Sequence, residues 1–123
     1  MAKILVIDDD PLVRNTILRI LRASGFEVVA AEDGLRGMKV FRSEAPDLVI
    51  TDIIMPDQEG IQTIIEMRRE RPNAKIIAIS GGGRVANADF LSMARSLGAD
   101  SVVAKPFTPA QLVSRVDECL AEA

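Results

Sequence analysis

Asp8-Asp9-Asp10, Asp52, Ser80 and Lys105-Pro106 have the residue types for joint chemistry, and each group follows an apolar run, Asp52 with Thr51 between. Those runs, residues 4–7, 48–50, 76–79 and 102–104, are short and rich in Val and Ile, as buried parallel strands are. In an open parallel sheet the ends of such strands lie along one edge, so four distant segments would meet in one crevice. Clustered carboxylates repel one another unless a lysine or a divalent cation neutralises them, and carboxylate oxygens are ligands that Mg²⁺ favours. The combination predicts a site for phosphate and metal.

The elements that must carry these residues alternate regularly. After the first strand, Pro11 suits a first helical turn, and Val13, Ile17, Leu18, Ile20 and Leu21 follow at helical spacing before Gly25 stops the helix. Residues 26–31 read as a strand, 35–43 as a helix, and Pro46 marks the turn into a strand over 48–51. Pro56 and Gly60 punctuate a loop, Ile61, Ile64, Ile65 and Arg68 suggest a helix, and Pro72-Asn73 breaks it before a strand over 75–79. Gly81-Gly82-Gly83 then opens a connection to a helix carrying Phe90, Leu91, Ala94 and Leu97 and ended by Gly98; its start is not fixed by the pattern. Residues 102–104 form the fifth strand, and Thr108-Pro109 caps a last helix with the stripe Leu112, Val113, Val116 and Leu120. Five strand-helix units without a linker predict one α/β domain over residues 1–123, a doubly wound parallel sheet with helices on both faces, and no output domain in this chain.

Composition narrows the function. The 123 residues are 48% hydrophobic with few aromatics, so aliphatic side chains must fill the core. The formal charge of −3, with neither Trp nor Tyr, argues against direct nucleic-acid binding. The Arg68, Arg69, Arg71 cluster reads as a solvated helix end where cations favour the dipole. A lone Cys119 cannot form an internal disulfide, no secretory pattern precedes Asp8, and the apolar stretches are far shorter than a membrane span. A soluble cytoplasmic protein without a membrane partner is expected.

The strings 4–10 (ILVIDDD), 47–57 (DLVITDIIMPD), 97–100 (LGAD) and 103–107 (VAKPF) together resemble the receiver domain of bacterial two-component response regulators, of the stand-alone chemotaxis and sporulation type. The resemblance covers nearly the whole chain. It implies a flavodoxin-like sheet in the order 2-1-3-4-5 and makes Asp52 the position that accepts a phosphoryl group, normally from phosphohistidine on a sensor kinase or a histidine phosphotransfer protein. It implies Mg²⁺ bound by Asp8, Asp9, Asp52 and the backbone carbonyl of Ile54, with Lys105 contacting a phosphoryl oxygen and a cis bond before Pro106 that aims Lys105 inward. Ser80 matches the switch hydroxyl. The site that often holds an aromatic residue coupled to that hydroxyl is Val102, so the resemblance points instead to a switch in the loop Gly81, Gly82, Gly83. The helix after Gly83, the strand over 102–104 and the last helix would form the face for a downstream target or a homodimer. The chain would be no enzyme beyond catalysing its own phosphorylation and dephosphorylation.

Simpler roles compete at each position. Asp10 suits an N-cap, Ser80 alone would bond local backbone, and Lys105 alone would be solvated. Met55, Phe107 and Cys119 read as packing residues. The glycine run lacks the Gly-Lys-Ser or Gly-Lys-Thr ending of a P-loop. Two other functional classes stand beside the switch. An aspartyl-phosphate phosphatase needs a second Asp two positions after its nucleophile, where Ile54 stands; a degenerate receiver that binds partners without phosphate would not need the complete acidic set with Ser80 and Lys105. Cognate kinase, target, and a stand-alone or excised setting are left open.

Overall fold

Apolar side chains in the strands point alternately to opposite faces, and both faces are buried in the computed structural model, which describes residues 2–52, 59–80, 96 and 98–121. Five strands, β1 (Lys3–Ile7), β2 (Glu27–Ala31), β3 (Leu48–Asp52), β4 (Lys75–Ser80) and β5 (Ser101–Ala104), form one parallel sheet in the order β2-β1-β3-β4-β5. The helices described are α1 (Pro11–Ala23), α2 (Gly34–Glu44), α3 (Glu59–Glu70) and α4 (Pro109–Ala121). Ile4, Val6, Ile50 and Ile77 pack on one side against Ile17 and Leu21 of α1 and Leu112 and Val116 of α4. Leu5, Ile7, Val49 and Ile76 pack on the other against Met38 and Phe41 of α2 and Ile64 and Met67 of α3. The expected doubly wound architecture and strand order are both present.

Local chemistry explains the boundaries. Asp10 caps α1, accepting the Leu12 N–H at 2.9 Å, and Gly25 follows the helix at φ 93°, a left-handed conformation that suits glycine. Asp33 caps α2 by accepting the Arg36 N–H at 2.7 Å. Thr108 and Gln111 cap α4 reciprocally: Thr108 Oγ1 accepts the Gln111 N–H at 3.1 Å, and Gln111 Oε1 accepts the Thr108 N–H at 2.8 Å. Helix α3 starts at Glu59, so Gly60 sits in its first turn rather than in the preceding loop. A first turn tolerates glycine because its N–H groups have no intrahelical partners to lose.

The arginine cluster differs from its expected solvated role. Arg68 donates to the carbonyls of Pro72 and Ala74 at 2.7 and 2.6 Å, to the Gly98 carbonyl, and to the Asp100 carboxylate at 2.8 Å. Arg71 donates to the Phe41 carbonyl at 2.6 Å and lies over the Phe41 ring, 4.1 Å from its centroid. Exposed Arg69 fits the solvated reading. Ile54, Met55, Gly81, Gly82, Gly83 and the helix expected through Phe90, Leu91, Ala94 and Leu97 lie outside the described residues.

Candidate functional site

The sheet register brings the predicted residues to one edge. Ile7 pairs with Thr51, Asp52 with Ile79 and Ser80 with Ala104, so Asp8, Asp52, Ser80 and Lys105 all stand at carboxyl ends of strands. Asp8 follows β1, Asp52 ends the neighbouring β3, and one carboxylate oxygen from each of Asp8, Asp9 and Asp52 lies within 4.8 Å of the others. Asp8 and Asp52 are buried and Asp9 is exposed, so the cluster opens to solvent on the Asp9 side. Lys105 reaches into it from beyond β5, its Nζ 3.1 Å from Asp52 Oδ2 and 3.5 Å from Asp8 Oδ2. The Lys105–Pro106 bond is cis, as expected.

Asp8 is fully buried. Its Oδ1 accepts the Asp10 N–H at 2.9 Å, while its buried Oδ2 accepts no hydrogen bond among the described residues. Burial pushes the Asp8 carboxyl above the usual aspartate range, and nearby Asp52 and Asp9 add to that push; the Asp10 N–H and the Lys105 charge act against it. Burial likewise disfavours the Lys105 ammonium, but Asp52 and Asp8 outweigh it and hold its pKa above the ordinary lysine value. Among the described residues three carboxylates face one ammonium, which leaves an excess of negative charge, and the buried Asp8 Oδ2, paired with Lys105 at 3.5 Å but accepting no hydrogen bond, leaves room for a further positive partner. The all-oxygen donor set fits a hard divalent cation.

The side chain of Ser80 and the carbonyl of Ile54 lie outside the described residues, so their part in the site stays with the sequence. Val102 is buried in the core on the α2 and α3 side of the sheet. Phe107 packs against the opposite cluster, which includes Cys119, and both have the packing role expected of them. Arg14 goes unmarked in the sequence pattern, yet its Nη1 donates to the Asp8 carbonyl at 2.8 Å. Its place one turn into α1 was the only available signal, because a guanidinium folding back on the preceding loop is a tertiary feature.

Residues 4–117 match the family model described as response regulator receiver domain. The chain is 38% identical over 118 residues to "Probable transcriptional regulator ycf27" of Cyanophora paradoxa, a match covering 96% of this chain and 48% of that protein. It thus spans about half the length of this relative. It is 33% identical over 119 residues to "Chemotaxis protein CheY" of Listeria monocytogenes, covering 96% of this chain and 98% of that one. Among solved structures, a CheY-like response regulator receiver domain protein from Methanospirillum hungatei superposes with a TM-score of 0.89 at 30% identity, over 99% of this chain and 95% of that chain.

Proposed function

The chain belongs to the response regulator receiver domain family, and from that premise we propose that Asp52 accepts a phosphoryl group and switches the surface around it. The observation that carries this is the placement of Lys105 Nζ 3.1 Å from Asp52 Oδ2, at the edge where Asp8, Asp9 and Asp52 converge. A carboxylate oxygen of Asp52 attacks the phosphorus of phosphohistidine on a sensor kinase or a histidine phosphotransfer protein. A P–O bond forms, the P–N bond breaks, and its electron pair returns to the imidazole. Lys105 is already drawn to the acidic edge and offers its ammonium to a phosphoryl oxygen once Asp52 carries the acyl phosphate.

Mg²⁺ held by Asp8, Asp9, Asp52 and the backbone carbonyl of Ile54 would supply the positive charge that lets an anionic nucleophile meet an anionic donor. Ser80 ends β4 in register with Ala104, the residue before Lys105, which supports a role for its hydroxyl as the switch contact. Buried Val102 has no ring to rotate, so the change is assigned to the loop Gly81, Gly82, Gly83. The output face combines β5 and α4 with the segment that precedes β5, and it serves a protein target or a second receiver. Catalysis is confined to the domain's own phosphorylation and dephosphorylation, and the setting is cytoplasmic. In support of that setting, no helix among the described residues is long and apolar enough to cross a membrane.

Intact-mass measurement after incubation with Mg²⁺ and acetyl phosphate tests the reading. One phosphoryl adduct is expected on the wild type, labile to hydroxylamine and absent from Asp52→Asn and from the metal-free control. Folded protein that takes no adduct from acetyl phosphate or from a phosphorylated histidine phosphotransfer protein would overturn it in favour of phosphate-independent binding.

A further inference from the structure

We propose that Arg14 is a positioning residue for the divalent-cation site, holding the turn between β1 and α1 in the shape that lets Asp8 and Asp9 bind metal together. The inference rests on the metal-dependent reading above. Asp9 projects from a turn whose two adjoining peptide planes are both held by hydrogen bonds among the described residues. The plane entering Asp9 contains the Asp8 carbonyl, which accepts Arg14 Nη1 at 2.8 Å. The plane leaving Asp9 contains the Asp10 N–H, which donates to Asp8 Oδ1 at 2.9 Å. Arg14 is anchored for this task, because its own N–H donates to the Asp10 carbonyl at 2.9 Å as part of the first turn of α1. The second of these bonds uses a carboxylate that must also serve the cation; the Arg14 bond does not. Arg14 therefore fixes the direction of Asp9 without competing for the metal, the role that outer hydrogen-bond partners play in metal sites.

The sign of the effect separates this role from simple electrostatics. A guanidinium beside a cation site repels the cation, so removing the charge alone would tighten Mg²⁺ binding. Removing a positioning contact weakens it. The experiment is calorimetric titration of the intact chain with Mg²⁺ alone, on wild type, Arg14→Met, Arg14→Gln and Arg14→Lys, alongside thermal unfolding without metal.

The expected result is a loss of about tenfold in Mg²⁺ affinity for Arg14→Met, the low end of losses for outer partners, with partial recovery in Arg14→Lys and a metal-free midpoint close to wild type. Should Arg14→Met fail to fold, Arg14→Gln replaces it: positioning predicts weaker binding than wild type, and charge alone predicts tighter. Unchanged or tighter binding in the uncharged variant overturns the role of Arg14 while leaving the metal reading intact. So does a loss of affinity that tracks loss of metal-free stability across the variants. Wild type that binds no Mg²⁺ overturns the metal reading and this inference with it.

Discussion

Lys105 and Asp52 are 53 positions apart in the chain, yet the Lys105 ammonium stands 3.1 Å from Asp52 Oδ2. β3 and β5 are not neighbours, since β4 lies between them, so the side chain crosses over one strand end to reach its partner. The contact ties the carboxyl edge of the sheet together and sets a positive charge against two buried carboxylates.

Lys105→Met removes that charge. In metal-free protein the loss should destabilise the fold by about 1–3 kcal/mol, the usual cost of leaving a buried polar group unsatisfied. Saturating Mg²⁺ should shrink the difference, because the cation then balances the same carboxylates. Urea denaturation with and without Mg²⁺ checks both statements, and a variant as stable as wild type without metal would show that the ammonium does not balance the cluster.

Asp8 gives the acidic edge a pH signature. Burial first, then Asp52 and Asp9, raise its carboxyl above the unfolded value despite the opposing Asp10 N–H and Lys105. Between the unfolded and the raised value, the folded state binds more protons than the unfolded state, so this group's contribution falls as pH rises through that window. Its stabilising share is complete below the ordinary aspartate range and lost above the raised value. Without metal, Asp8→Asn should therefore be more stable than wild type at neutral pH, and the difference should vanish in acid. The same variant should lose most of the stabilisation that Mg²⁺ confers. Denaturation midpoints of the two proteins across pH, with and without Mg²⁺, measure this; a difference independent of pH would refute it.

What the sequence conveyed follows from the range of each interaction. The apolar runs, Asp10 as a cap, Thr108 at the start of α4 and Gly25 after α1 are local signals, and the residues beside them decide their conformations. The convergence of Asp8, Asp52 and Lys105 was also legible, because strand ends in a parallel sheet share an edge whatever the loops do. Arg68 and Arg71 were not: their partners, from Phe41 to Asp100, belong to other elements, and composition cannot distinguish a solvated guanidinium from one that clamps carbonyls. Gly37 carried no signal either, since its importance lies in what faces it across the helix-sheet interface.

At Gly37, α2 approaches the end of β1 so closely that a Cβ there would overlap Ile7 Cδ1 and lie 2.9 Å from Ile7 Cγ1. Ile7 is buried and immediately precedes Asp8. Gly37→Ala sets a helix-propensity gain of about 1 kcal/mol against overpacking of about 1–3 kcal/mol, and overpacking should win by up to about 2 kcal/mol. The shift of Ile7 should also weaken Mg²⁺ binding. Urea midpoints and Mg²⁺ titration of the variant provide the check; unchanged stability would mean that Ile7 turns aside without cost.

Arg68 joins three parts of the fold: the end of α3, the turn into β4 through Pro72 and Ala74, and the approach to β5 through Gly98 and Asp100. The Asp100 carboxylate also accepts the Ile76 N–H at 2.8 Å, so the guanidinium supports the first residues of β4 through a second group. Arg68→Met should cost about 2–4 kcal/mol, since hydrogen bonds to charged groups are worth about 1.5–3 kcal/mol each and bonds from one side chain do not add fully. Arg69→Met, one position along on exposed helix surface, should stay within about 0.5 kcal/mol of wild type. Urea denaturation of the two variants in parallel controls for helix propensity and net charge, which change equally in both. Equal effects would return Arg68 to the solvated role its sequence context suggests, whereas a large loss at Arg68 alone would establish that the turn into β5, and with it the strand that leads to Lys105, is held from α3.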